Sequence, residues 1–326
     1  MNATAKLPDN ILPMLYDRQD GFVSVNELAR AANLDAAGLS AAVKELEGRG
    51  FRFEQSPAHG LRLIRPTPLD AHLIERDLGT KRVGRHAIVF AEVNSTNDVA
   101  ADSARQEGAD GLVVLAESQR RGRGRLGRHW ISPPGMNILM SVLLVEPTEK
   151  LGHEPLTIAA GLAAAEGIEQ VCSGVRCELR WPNDVLIGGA KLAGVLLEMH
   201  RANGGRAVVI GIGINVNSSP PADQTDTPAT NLADHVGGQV DRIEVVRAVL
   251  GRLDVWVDQV FAGRLDGLHD EWLARCGMLN QRVTVREGEQ SYVGRVLDVS
   301  PLEGLILLGD DGHRVHLSAQ SASLIH

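Results

Sequence analysis

Aromatic residues make up only 3% of this 326-residue chain. Its core must therefore be filled by Val, Leu, Ile and Ala, which a hydrophobic fraction of 44% can supply. Cysteine is scarce as well. Cys172, Cys177 and Cys276 are an odd number in a long chain, which argues against a disulfide scaffold and fits a reducing compartment. They lack the paired short spacings of a zinc site and read as structural. No apolar run reaches membrane-spanning length, and the segment MNATAKLPDN has no apolar signal core. A cytoplasmic location with no membrane attachment is the expectation. Positive charge is in deficit, since 33 Lys and Arg face 41 Asp and Glu for a formal net charge of −8. That excludes a protein coating nucleic acid through overall charge, but not a local basic site. Repeats, low-complexity runs and a Walker A loop are absent too.

The pattern that remains divides into three parts and is α+β in class. Residues 1–66 read as a winged helix-turn-helix. Ser24 followed by Glu27 is a capping box opening a short helix. Asn33-Leu34 makes a turn, and Asp35 caps a second helix whose Leu39, Val43 and Leu46 form one buried face. Two short alternating segments around Arg52–Glu54 and Leu61–Ile64 form the wing. Residues 67–277, after the linker Arg65-Pro66-Thr67-Pro68, mix apolar strands with helices and read as a mixed α/β domain. Residues 278–326 hold short strands between Gly- and Asp-rich turns, the pattern of a small β-barrel.

Chemistry concentrates in two segments. Gln119-Arg120-Arg121-Gly122-Arg123-Gly124-Arg125-Leu126-Gly127-Arg128-His129-Trp130 formally matches a dinucleotide fingerprint. Ser132-Pro133-Pro134-Gly135 follows, however, and leaves no room for the helix on whose N-terminus a pyrophosphate would sit. What remains is an arginine-crowded loop. Guanidinium groups repel one another and match phosphate and carboxylate oxygens in bidentate fashion. Ordering such a loop costs on the order of 10 kcal/mol at about 1 kcal/mol per residue, which a bound adenylate or triphosphate offsets. Trp130 offers a flat face to a purine. A solvated basic loop, or a nucleic-acid contact, fits an arginine run equally well.

The second segment is Arg180-Trp181-Pro182-Asn183-Asp184 and its continuation to Gly194. Gly188-Gly189 marks a tight hairpin that returns Lys191 toward Asn183 and Asp184. A lysine, a carboxylate and an amide at one hairpin end can hold a metal-bound phosphate, and Gly194 lets a ligand approach the backbone. A solvated hairpin lysine is the plainer alternative. Ser95-Thr96-Asn97 offers hydroxyl and amide groups to a polar, uncharged ligand head, or caps the next helix. Gly211-Ile212-Gly213-Ile214-Asn215 walls a narrow site or marks a bulge.

In this order, Ser-Thr-Asn, Gln then Gly-Arg-Gly-Arg-x-Gly-Arg, Trp-Pro-Asn-Asp, Lys-x-x-Gly and Gly-x-Gly-x-Asn resemble the biotin–protein ligases, in particular the bifunctional ligase/biotin-operon repressors. The resemblance covers nearly the whole chain and implies an SH3-like fold for the C-terminal part. It implies that Ser95, Thr96, Asn97 and Gln119 hold biotin. Arg123, Gly124 and Arg125 would contact the biotin carboxylate and the phosphate, and Lys191, with Gly194 beside it, would lie between carboxylate and α-phosphate. Arg125 and Lys191 are then the catalytic pair. Arg128, Trp130, Asn183, Asp184 and Asn215 would serve ATP, with Mg²⁺ at Asp184. The reaction implied forms biotinyl-5′-adenylate from biotin and ATP, releasing pyrophosphate. It then passes biotin to a lysine of the biotin carboxyl carrier protein of acetyl-CoA carboxylase or another biotin-dependent carboxylase. Biotin-operon DNA, through Ser40, Lys44, Arg52 and Arg62, and a ligand-linked homodimer are further implied partners.

The chain departs from the family's pattern at Arg180, where lysine is usual. It also departs in the second helix, where Ala36, Ala37, Ser40, Ala41 and Lys44 offer one cation. Residues 1–66 hold two Lys and six Arg against four Asp and four Glu, a balance of zero. Such a module binds DNA with a shallow salt dependence. Other readings stay open. They are a biotin-sensing regulator without ligase activity, a lipoate ligase, and an N-terminal domain that gates the active site instead of binding DNA.

Overall fold

Ser24 and Asp35 start two helices as their spacing predicts. The Ser24 hydroxyl accepts from Glu27 N–H and the Asp35 carboxylate from Gly38 N–H. The structure is a computed structural model that describes residues 10–19, 21–146, 153–202, 205–225 and 227–325. Contacts divide it into two units, Met1–Pro68 and Leu69–His326. In the first, helices α1 (Ile11–Asp17), α2 (Val25–Ala32) and α3 (Ala36–Gly48) precede strands β1 (Phe53–Ser56) and β2 (Gly60–Leu63), which pair antiparallel. Leu39, Val43 and Leu46 are buried together with Leu15, Leu28 and Leu63. Helix α1 follows Asn10, whose side chain makes no capping bond and donates instead to Ala31 O.

The second unit begins with α4 (Ala71–Glu75), β3 (His86–Phe90), α5 (Thr96–Ser103), β4 (Leu112–Ala116) and β5 (Ile138–Glu146). It continues through α6 (His153–Val171), β6 (Glu178–Arg180), β7 (Asp184–Ile187), β8 (Ala190–Ala202) and β9 (Gly205–Ile214). Helices α7 (Leu232–Val236), α8 (Arg242–Phe261) and α9 (Asp266–Arg275) follow. Last come β10 (Arg282–Glu287), β11 (Gln290–Ser300), β12 (Gly304–Gly309), β13 (Arg314–Leu317) and β14 (Ala322–Ile325). Strands β3 to β9 form a mixed seven-stranded sheet in the order β3-β4-β5-β9-β8-β7-β6, parallel only between β3 and β4. Strands β10 to β14 form an antiparallel sheet in the order β13-β12-β11-β10-β14.

Alternation along β9 decides what the large sheet presents. Val208, Ile210 and Ile212 are buried on one side. The other side carries Ala207 and Val209, which join Ala100, Ala104, Leu112, Val114 and Leu143 in the cluster under α5. Further along that second face β9 continues with Gly211 and Gly213. Cys172, Cys177 and Cys276 are buried free thiols, as a structural role requires. Burial raises each thiol's pKa, that of Cys177 to about 12. Among the described residues no helix is long and apolar enough to cross a membrane.

Candidate active site

Cross-strand partners share a sheet face, so register assembles the site in rows. Ser141 pairs with Gly211, and Gly211 with Leu196. Leu139 pairs with Gly213, Gly213 with Gly194, and Gly194 with Asp184. The glycines leave a floor without side chains. A Cβ on Gly211 would come 2.4 Å from Asn97 Oδ1, and one on Gly213 would come 2.5 Å from Trp130 Cε2. The Trp130 ring thus lies directly on the floor.

At the α5 end the groups are polar. Ser95, Thr96 and Asn97 are each 3–4% exposed. Ser95 occupies the N-cap position but makes no capping bond with its side chain. Gln119 Oε1 accepts from Thr96 N–H at 2.7 Å, with Thr96 Oγ1 at 3.2 Å. Ser141 Oγ lies 2.7 Å from Thr96 Oγ1 and 2.5 Å from Asn97 Oδ1, while Asn97 Nδ2 donates to Glu198 Oε2 at 2.7 Å.

At the other end the hairpin turns at Gly188 and Gly189, both with positive φ. Lys191 N–H donates to Pro228 O at 2.7 Å, which ties the start of β8 to the 228–230 segment. Lys191 Nζ is 2.5 Å from Asp184 Oδ1, and Arg180 Nη2 donates to Asp184 Oδ2 at 2.8 Å. Burial works to raise the Asp184 carboxyl, but Lys191 and Arg180 together outweigh it and hold it below the ordinary carboxylate range. Asn183 extends the β7–β8 pairing one step past Asp184 and Gly194, with Nδ2 donating to Val195 O at 2.5 Å and its carbonyl accepting from Val195 N–H.

The arginine loop closes on itself through Gly124 N–H to Arg128 O and Trp130 N–H to Gly122 O. After Gly124 it holds only a 3-10 turn, Arg125–Gly127, with Leu126 at φ +54. The dinucleotide reading therefore fails for the reason given by the following prolines. Arg123 is paired with Asp98 at 2.7 Å and Glu198 at 3.2 Å. The Asp98 bond, with help from Glu198, lifts its pKa against burial. Arg125 donates to Ala319 O and Ala322 O at 2.5 and 2.7 Å, so the start of β14 and the turn before it grip it. Burial pulls its pKa down to about 10, which leaves it a cation at neutral pH.

These pieces surround one cavity. Ser95, Thr96, Asn97, Gln119, Arg123, Gly124, Arg125, Arg128, Trp130, Asn183, Asp184, Lys191 and Gly194 all line it. Asn215 does not. It lines an adjoining cavity whose wall shares Arg128, Trp130, Asp184 and Lys191 with the first. Asn215 Oδ1 and Trp130 Nε1 are buried without hydrogen-bond partners, an acceptor and a donor left for a ligand. Asp184 is the carboxylate at the junction. Among the described residues no cluster of three or more His, Cys, Asp or Glu could hold a metal. One carboxylate suits Mg²⁺ that arrives on phosphate oxygens and keeps several waters. Sequence reasoning did not find Ser141 and Glu198. Each is a lone polar residue in an otherwise apolar stretch of strand, and that was the available signal.

The residues singled out for nucleic acid belong to the first unit. Ser40, Lys44 and Arg52 are exposed. Arg62 is engaged by Glu54 on the neighbouring strand and lies 5.0 Å over the Phe22 ring.

Residues 89–215 match the model of the biotin/lipoate A/B protein ligase family. The chain is 33% identical over 249 residues to a bifunctional ligase/repressor BirA of Bacillus subtilis, covering 75% of this chain and 76% of that protein. It is 34% identical over 268 residues to a biotin–[acetyl-CoA-carboxylase] ligase of Mycobacterium tuberculosis, covering 78% and 95%. The structure of the Aquifex aeolicus biotin protein ligase in complex with biotin and ATP superposes with a TM-score of 0.64 at 28% identity, covering 73% of this chain and 98% of that one. With this likeness running through both the sequence and the fold, the chain belongs to the biotin/lipoate A/B protein ligase family.

Proposed function

We propose that the chain joins biotin to ATP as biotinyl-5′-adenylate and transfers the biotinyl group to a lysine of a carrier protein of a biotin-dependent carboxylase. The observation that carries this reading is the junction of two cavities at Asp184, Lys191 and Trp130. One cavity ends in neutral hydrogen-bonding groups suited to a cyclic urea. The other holds the partnerless Asn215 oxygen and suits a nucleotide. Where they meet, a carboxylate and an α-phosphate would lie against Lys191, with Arg125 on the wall of the first cavity.

The biotin carboxylate oxygen attacks the α-phosphorus, the bond to the β-phosphate bridge breaks, and pyrophosphate leaves. The carrier lysine then attacks the acyl carbon and expels AMP. No protein nucleophile is required, so these side chains position substrates and neutralise charge. Mg²⁺ supplies charge neutralisation on the triphosphate, with Asp184 as the residue that would hold it. ATP as a substrate favours a cytoplasmic site of action. Incubating the protein with labelled biotin, Mg-ATP and an apo carrier domain tests the reading. Label on the carrier lysine supports it, and no biotin-dependent pyrophosphate release refutes it.

A second role is supported by the first unit and by the ligase/repressor relative. Three short helices followed by a β-hairpin suit a winged helix-turn-helix, with Ser40, Lys44, Arg52 and Arg62 as the residues that would face DNA. We assign the C-terminal antiparallel sheet to an SH3-like domain, and the adenylate to promotion of a homodimer. Titration onto DNA from upstream of the organism's biotin genes, with and without biotin and Mg-ATP, tests repression. Sedimentation under the same conditions tests the dimer.

A further inference from the structure

We propose that Glu198, on the cavity-facing side of β8, is the positioning residue that makes the closed end of the cavity accept N–H donors and so select a urea-bearing acid over one without a urea. This rests on the biotin reading above and goes beyond it. It names the residue that decides which member of the family's two substrate classes enters.

One chain of hydrogen bonds fixes where each proton goes. A carboxylate only accepts. Glu198 Oε2 stands 2.7 Å from the Asn97 amide, so Asn97 must turn its NH₂ toward Glu198 and its carbonyl oxygen away. That oxygen meets Ser141 Oγ at 2.5 Å and can only accept, so the one Ser141 proton goes there. Ser141 can then only accept from Thr96, whose Oγ1 is 2.7 Å away. The Thr96 proton is thereby directed away from Gln119. Gln119 Oε1 already accepts from Thr96 N–H and has no proton of its own. Two lone-pair oxygens, Thr96 Oγ1 and Gln119 Oε1, are left 3.2 Å apart in the cavity lining. A ligand N–H satisfies that pair, whereas a dithiolane or an alkyl chain leaves both unpaired.

Without the carboxylate nothing holds this direction. Glutamine at 198 can donate to the Asn97 oxygen, which lets the asparagine amide flip. Asn97 then donates to Ser141, Ser141 to Thr96, and Thr96 to Gln119. That chain satisfies itself internally and no longer needs a ligand donor. Arg123, within 3.3 Å of both Glu198 oxygens, keeps the carboxylate in place, and its bond to Asp98 holds it when Glu198 changes. Ser141 is fully buried, so the chain has no solvent to correct its direction.

Full-length Glu198→Gln and Ser141→Ala test this by two readouts. Titration calorimetry measures biotin binding without ATP, and pyrophosphate release is followed with biotin and with lipoate. Each variant is expected to raise the biotin Kd and KM about tenfold or more, the scale of a lost hydrogen bond to a buried partner. Preference for biotin over lipoate narrows with it, because rejection of the donor-less acid depends on leaving acceptors unpaired. The rate at saturating biotin and the KM for ATP stay as in wild type. Wild-type biotin affinity and preference in Glu198→Gln overturn the proposal. So does a parallel loss in kcat and ATP KM, which marks a general structural role. Wild-type protein that neither binds biotin nor releases pyrophosphate refutes the ligase reading itself.

Discussion

Lys191 Nζ and Asp184 Oδ1 stand 2.5 Å apart, with the lysine on the return strand of a two-glycine hairpin and the aspartate at its outgoing start. The carboxylate keeps the ammonium at the junction of the two cavities before any substrate arrives. Lys191→Ala is expected to lower adenylate formation by roughly 10²–10³, the cost of removing one preorganised group aimed at developing charge. Arg125→Ala should fall in the same range. Pyrophosphate release measured with biotin and Mg-ATP is the check, and a near-normal rate in either variant would remove that residue from the chemistry.

Asp184 also makes the site's acid sensitivity predictable. Its native carboxyl lies below the ordinary carboxylate range because Lys191 and Arg180 outweigh burial. Such a group contributes stability above the unfolded pKa of about 3.9, lost as pH falls through the lower native value. Asp184→Asn leaves two cations facing a neutral amide, which costs about 3–5 kcal/mol near neutral pH. Urea unfolding of both proteins should show that gap at pH 7 and its closure in acid below the ordinary carboxylate range. A constant gap across that range would mean the ion triad does not hold the fold.

The Trp130 ring owes its position to the absence of one side chain. Gly213→Ala places a Cβ 2.5 Å from Trp130 Cε2, so the ring must lift by about 1 Å to reach ordinary contact. Gly213 is paired within β9 and is not at positive φ, so alanine fits the backbone. The fold should persist while the lifted ring encroaches on both cavities. Misplacement on this scale can cost up to about 10²-fold in rate, and kcat/KM is expected to fall for biotin and ATP alike. Unchanged steady-state constants would show that neither substrate needs the space beside Trp130.

What could be read from the sequence was local. The Ser24 and Asp35 caps and the Gly188-Gly189 turn each depend on residues a few positions apart, and each stands where its spacing puts it. The helix expected after Ser95-Thr96-Asn97 is there as well, starting at Thr96. Strand β14, four residues after a turn, carried no alternation long enough to notice. The site's supports were illegible for a different reason. Glu198 reaches Asn97 across 101 positions, and Arg125 reaches Ala319 across 194. Such pairings follow from sheet order and register, which no local pattern encodes.

Arg242 and Glu117 are another such pair, 125 positions apart. Arg242, at the start of α8, has a side chain 3% exposed; its Nη1 lies 2.5 Å from Glu117 Oε2 and 3.2 Å from Asn137 O. Asn137 Oδ1 in turn accepts from Val216 N–H, one residue beyond Asn215. The pair therefore braces the entry to β5 and the exit from β9, beside Asn215 on the wall of the second cavity. Removing one partner strands a buried charge, so Arg242→Met or Glu117→Gln should each cost about 3–5 kcal/mol. The double variant should cost clearly less than the sum, because the second change removes the charge that the first left unpaired. Urea unfolding of all four proteins completes the cycle, and the single variants should also raise the KM for ATP through Asn215. Strictly additive losses would mean that the two charges meet without holding one another, and that the brace lies in the Asn137 bonds alone.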